Sequence, residues 1–365
     1  MSANIENLYL TATRRQSNDR DFNKERAKKF FKNPVIQFVL LGVAFVLLQV
    51  LRLIGLVPNK YIVVASNVMI YTIVSTGFAL LLGYAGLASL GSSCFVGLGA
   101  YCAFYCLTQW GLPYIISILM ALAISLLIGL SIGFISLRVQ GLFLGIITMG
   151  LSEIIRIVLK NINSDTVFIR SRFLKLFGVA ASNYMYFAIA VMMVIVLILI
   201  YNLMHSPTGR NMLAMKNSTS AAQAFGVNLL KYRVLAFILA CMLASLTGIG
   251  YASIGNSVTA ANPSDPAVSL TLSLNVLAAV IIGGYKSLWG TFIGTAFVFG
   301  LQPLFYAVVP NFANKLSPYI SLIIGALMIV IMMFYPGGFY QMFYSAKFRI
   351  KGWKQKRRIY LYGAE

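Results

Sequence analysis

The chain has 365 residues, 59% hydrophobic and 10% charged, with 29 Lys and Arg against 8 Asp and Glu for a net charge of +21. That apolar share, recurring in runs of about 20 residues, excludes a soluble globular domain and predicts a polytopic helical membrane protein. The period-two alternation of a transmembrane barrel is absent. The basic excess would point to nucleic acid in a soluble chain, but here it follows from the bias of cytoplasmic loops toward Lys and Arg.

Residues 1–33 are polar and mixed in charge, with Arg14, Arg15, Arg20, Lys24, Arg26, Lys28, Lys29 and Lys32. They hold no short apolar core and no cleavage site, so they read as a cytoplasmic tail rather than a signal peptide. Such a tail is either solvated or held on anionic lipid. Ten membrane segments follow, at 34–57, 61–82, 89–108, 114–137, 142–160, 184–204, 234–254, 269–282, 288–309 and 319–335. The third, eighth and ninth are short or broken by glycine, and one of them is a candidate re-entrant segment. The permease domain is therefore set at 34–339, with a basic cytoplasmic tail at 340–365.

The third segment belongs to GYAGLASLGSSCFVGLGAY, with Gly83, Gly86, Gly91, Gly97 and Gly99. Glycine at this density lets helices approach closely or break beside a cavity. Cys102 and Cys106 are one helical turn apart. His205 is distant and no acidic residue is near, so they read as packing groups rather than metal ligands. In the fifth segment Glu153 and Arg156 sit three apart on one helix face, where pairing lowers the penalty of burying charge. Asn67, Thr148, Ser152, Ser273 and Asn275 suit either a polar path or bonds between helices. The loop 161–183 carries Arg170, Arg172 and Lys175 against Asp165 and falls outside the cell. It is either a tolerated local excess of charge or a face for an acidic partner.

A polar island at 206–233 then interrupts the apolar spans. Ser206-Pro207 is a helix start, since Ser caps and Pro at the first helical position loses no hydrogen bond. A second start lies at 217–220, before the small-residue run 221–225. Gly226 stops that helix in the left-handed conformation. Two short helices outside the bilayer suit a docking surface, or equally a helical connecting loop.

The second glycine-rich stretch is IIGGYKSLWGTFIGTAFVFG, with Gly283, Gly284, Gly290 and Gly294. It loosely echoes the first from the other side of the island, which suggests two related halves in an inverted repeat. With ten spans, both tails and the island share one side together with most of the 29 basic residues, so that side is the cytoplasm. The sequence holds no GxxxxGK[ST] loop, no metal-ligand cluster and no nucleophile–base pair. Any uphill movement of solute must draw its energy from a partner.

Four segments in this order, 83–101, 140–158 (QGLFLGIITMGLSEIIRIV), 206–237 and 280–294 (VIIGGYKSLWGTFIG), resemble the permease subunits of branched-chain amino acid ABC importers of the LivM type. The likeness covers roughly 61–339. It implies a type II importer architecture of two permeases, two cytoplasmic ATPases that bind ATP-Mg, and an external solute-binding protein, in a bacterial cytoplasmic membrane. This chain would itself bind no cofactor and catalyse no reaction. The sister permease is expected to be a distinct related chain, with a homodimer as the alternative. The coupling loop would comprise Asn217, Ser218, Thr219, Ala221, Ala222 and Gly226. Ala221, Ala222 and Gly226 match the family's motif, whereas Asn217 and Thr219 stand where acidic residues are common. The segment after the fifth span reads NINSDTVFIRSRF in place of a Thr-Gly-Gly stretch, so nucleosides, sugars or amides stand beside amino acids as solutes. A carrier or channel needing no ATPase is the reading from a different class.

Overall fold

The computed structural model describes residues 33–136, 142–163, 165–167, 169, 181–255 and 257–308, with single positions between 319 and 342. The helices are α1 (Pro34–Leu53), α2 (Asn59–Leu80), α3 (Ser92–Phe104), α4 (Tyr114–Ser136), α5 (Leu142–Ile162), α6 (Ala181–His205), α7 (Pro207–Asn217), α8 (Thr219–Ala224), α9 (Leu229–Ser253), α10 (Leu270–Gly283) and α11 (Leu288–Val308). Among the described residues there is no strand, only a bridge between Val167 and Val258. The expected tails, the basic loop residues Arg170, Arg172 and Lys175, and most of the tenth span lie outside the described residues.

Among the described residues, five helices (α1, α2, α4, α6 and α9) are long and apolar enough to cross a membrane. At 1.5 Å per residue, about 20 residues reach ~30 Å of hydrocarbon. The five differ in where they sit. Over its most apolar stretch α2 is 89% buried and α9 67%, against 22% for α1 and α4. The bundle is built around α2 and α9, with α1 and α4 on its flanks. They run antiparallel: Gly77 faces Ala240 and Leu243, and the Thr247 hydroxyl donates to the Ile70 carbonyl at 3.4 Å.

The third and eighth segments are short. α3 has 13 residues and α10 has 14, about 20 Å each. The sequence predicts a continuous segment at 89–108. The chain instead ends α2 in a π turn at Leu81–Ala85 and turns at Gly86, where φ is 70°. It then runs without helix to Gly91 before α3 begins, and a second π turn at Tyr105–Gln109 extends α3. Leu87, Ser89 and Gly91 in that irregular stretch are buried. Backbone without helical bonds is tolerated inside a bundle only where side chains take up its polar groups. Thr148 does so, accepting from the Leu90 N–H at 2.9 Å.

Glycine contacts set the closest crossings. A Cβ on Gly99 would strike the Ser245 carbonyl, and one on Gly248 would strike the Val96 carbonyl, so α3 and α9 meet backbone to backbone. The α10–α11 hairpin is equally tight, with Gly283 on the Gly290 carbonyl and Gly294 on the Ala279 carbonyl. Lipid tails are as apolar as side chains, so association inside a bilayer rests on this kind of close contact. Long helix, irregular stretch and short helix recur as α2–α3 and α9–α10. The two glycine-rich stretches do not occupy matching places in that scheme. One closes α2 and enters α3, the other closes α10 and enters α11, and they touch each other where Gly83 lies on the Tyr285 carbonyl.

Candidate functional site: the polar island and the junction beneath it

The island folds as two short helices. Ser206 caps α7 by accepting from the Gly209 N–H at 3.4 Å, with Pro207 at the first helical position. Gly209 packs on the carbonyls of Leu203 and Met204 where only a residue without Cβ fits, which fixes α7 against the end of α6. Ser218 caps α8 through the Ala221 N–H at 3.3 Å. Gly226 takes φ 78°, and the Val227 N–H returns to the Ala222 carbonyl at 3.0 Å. Asn228 then caps α9 through the Lys231 N–H at 3.2 Å. Three Ser or Asn caps within 23 residues explain why so polar a segment is helical at all.

The two helices are placed differently. α7 is anchored: Met212 and Met215 are buried, and the Asn211 amide donates to the Tyr232 hydroxyl at 2.7 Å. α8 stands clear of the bundle. Ala222 is buried, whereas Asn217, Ser218, Thr219, Ala221 and Gly226 are exposed, and Phe225 is 88% exposed. α8 is thus a short, largely exposed helix closed by a bare aromatic ring.

Lys216, in the last turn of α7, joins the island to the bundle. Its stem passes 3.1 Å from where a Cβ on Gly86 would stand. Its ammonium donates to the Gly83 carbonyl at 2.9 Å and lies 4.4 Å from the centre of the Tyr285 ring. Burial, and then the charge of nearby Lys286, push this ammonium below the ordinary lysine range. The sequence reading counts Lys216 only as one basic residue among many. Nothing in the local pattern shows that it reaches residues 133 positions earlier.

A second cluster sits at the far end of α9 from the island. Arg156 pairs with Glu153 and also donates to the Ala260 carbonyl at 2.8 Å. The Tyr101 hydroxyl accepts from the Ala260 N–H at 2.9 Å and donates to the Asn163 carbonyl at 3.2 Å. Asp265 accepts from the N–H groups of Thr259 and Ala267, both at 2.9 Å. Burial pushes the Asp265 carboxyl above the usual range, and those two N–H groups oppose the shift. These bonds fold 257–268 inward, so that Val268 fills the notch at Gly97 on α3. Asp265 is the sole acidic residue between 206 and 340, a signal that could have marked it in the sequence. Glu153 differs from its partner: its side chain is 57% exposed against 10% for Arg156.

Of the polar residues proposed for a path, Thr148 is spent on Leu90. Ser273 is spent on α3, accepting from the Ser93 N–H at 3.0 Å, with the two hydroxyls 3.1 Å apart. Asn67 and Asn275 are half-buried. A cavity of about 970 Å³ forms a groove between α4, α6 and α9, lined by Ile118, Phe187, Ile195, Leu199 and Leu243 among others. It holds no charged side chain and suits lipid tails or another helix rather than a zwitterion. No group of three or more metal-ligating side chains occurs among the described residues.

An integral membrane bundle with a capped polar helix pair at one end is the general form of a transport permease, and comparison with known proteins defines the class further. The family described as "Branched-chain amino acid transport system / permease component" matches residues 61–332, and the chain belongs to that family. The high-affinity branched-chain amino acid transport system permease protein LivM of Salmonella typhimurium (strain LT2) is 26% identical over 304 residues, covering 75% of this chain and 68% of the relative. The LivM protein of Escherichia coli (strain K12) is 25% identical with the same coverage. No solved structure matches the chain significantly.

Proposed function

We propose that this chain is the membrane permease of an ATP-driven importer, carrying branched-chain or similar amino acids inward. In this reading it forms the translocation path with a sister permease in a bacterial cytoplasmic membrane, with both termini on the cytoplasmic side. Two cytoplasmic ATPases bind ATP-Mg, and an external binding protein delivers the solute. The observation that carries the reading is α8: capped by Ser218, closed by Gly226 and exposed apart from Ala222. A helix held out this way offers small side chains and Phe225 to a cleft on a neighbouring protein. Docking there would let closure of the ATPases displace the island as a body. The solute stays at the level of the family, because the half-buried polar side chains name no one ligand.

The test has two parts. Cysteine at Ser218 or Gln223 should crosslink to an ATPase subunit in the active complex, and no crosslink there would reduce α8 to a connecting loop. Calorimetric titration of the cognate binding protein with leucine, a nucleoside and a sugar separates the solutes. Leucine binding is expected, and preference for a nucleoside or sugar would transfer the same machine to that solute.

A further inference from the structure

We propose that Lys216 is the positioning residue that transmits movement of the island to the junction of the two glycine-rich stretches. This rests on the importer reading above. Three segments meet at its side chain: the π turn that closes α2, the Gly86 bend that follows, and the α10–α11 turn at Tyr285. The Gly83 carbonyl sits at a helix end, where carbonyls lack their usual partners, and an ammonium there also faces the negative end of the helix dipole. The face of the Tyr285 ring attracts the same charge. Gly83 and Tyr285 already touch through backbone, so one ammonium holds both sides of a junction that has no bulk of its own.

On the other side, α7 is rigidly joined to α6 through Gly209 and to α9 through Asn211 and Tyr232. α8 leads straight into α7 at Ser218, where one residue both ends the first helix and caps the second. A push on α8 therefore arrives at the last turn of α7, where Lys216, beside the buried Met215, is the charged side chain that reaches the Gly83 carbonyl. What lies beyond it is irregular backbone: a π turn, a left-handed Gly86, and Gly284 at φ 103°. Backbone of this kind rearranges more readily than a continuous helix.

Lys216→Met keeps the stem over Gly86 and removes the charge and the donor, while Lys216→Arg keeps both. The experiment uses the native complex purified through a tag on this chain, with a fluorophore on a cysteine at Ser287, beside Tyr285. Vanadate trapping after ATP addition should shift the fluorescence of the unsubstituted complex. With Lys216→Met the shift should fall at least fivefold, while basal ATP hydrolysis and the crosslink from Ser218→Cys to the ATPase stay within twofold. Lys216→Arg should restore the shift. A full shift with Lys216→Met overturns the proposal. So does a parallel loss of shift, hydrolysis and crosslink that Lys216→Arg fails to repair, since that marks a plain structural contact. A missing crosslink in the active Ser218→Cys complex with Lys216 intact is a different failure, and it removes the ATPase-docking reading on which the proposal stands.

Discussion

At Gly226 the backbone sits at φ 78° with nothing within 4 Å of where a Cβ would stand, so conformation rather than space demands glycine. A β-branched residue is penalised there by about 1–2 kcal/mol or more, whereas Asn visits this region readily. Gly226→Val should leave the protein inserted and the ATPases active but abolish most ATP-driven leucine uptake in vesicles. Gly226→Asn should retain it. Equal uptake by both variants would mean that the end of α8 has no part in coupling. Arg156 offers a second contrast. It holds the Ala260 carbonyl from a buried position, while its partner Glu153 is largely exposed. Removing a charged donor from a buried carbonyl costs about 2 kcal/mol, whereas Glu153→Gln keeps an amide oxygen as acceptor beside Arg156 and leaves the tie to Ala260 in place. Arg156→Met should therefore lower the thermal stability of the purified complex clearly, and Glu153→Gln barely. The reverse order would show that the pair, and not the tie to 257–268, matters.

Among the elements, the α3–α9 crossing leaves no room for an added methyl group. Gly→Ala in a helix usually gains up to about 1 kcal/mol. At Gly248 the new methyl would meet the Val96 carbonyl, and overpacking of this kind costs roughly 1–3 kcal/mol. At Gly150 it meets nothing within 4 Å. Thermal unfolding in detergent should show Gly248→Ala losing several degrees and Gly150→Ala unchanged or slightly higher. Similar behaviour at both sites would remove the backbone contact as the reason for glycine. The same elements show what the sequence could reveal. Caps and stops are written locally, so Ser206, Ser218 and Gly226 mark α7 and α8 with the right ends. Hydropathy reports that a stretch is apolar and says nothing about its depth, so 89–108 and 269–282 read as spans although α3 and α10 reach only about 20 Å each. The junction of Gly83, Tyr285 and Lys216 joins three segments far apart in the chain, and no periodicity encodes it. The echo between the two glycine-rich stretches was visible, but it reflects a shared contact rather than equivalent places in two halves.

For the molecule as a whole, burial and charge divide the labour. The two most buried long helices, α2 and α9, form the centre, and the polar ties of Arg156, Tyr101 and Asp265 close the end away from the island. The island at the other end is held by caps and by Lys216. The expected even span count would put the basic tails and the island on one side, and it makes a simple prediction: a reporter fused after residue 365 should be cytoplasmic. A signal from outside the cell would overturn that arrangement. The most direct measurement is solute flux in proteoliposomes holding either this chain with its sister permease or the complete complex with its ATPases. Leucine delivered by the binding protein should accumulate only in the complete complex and only with ATP. Flux driven by an ion gradient through the permeases without ATPases would contradict the account at its base.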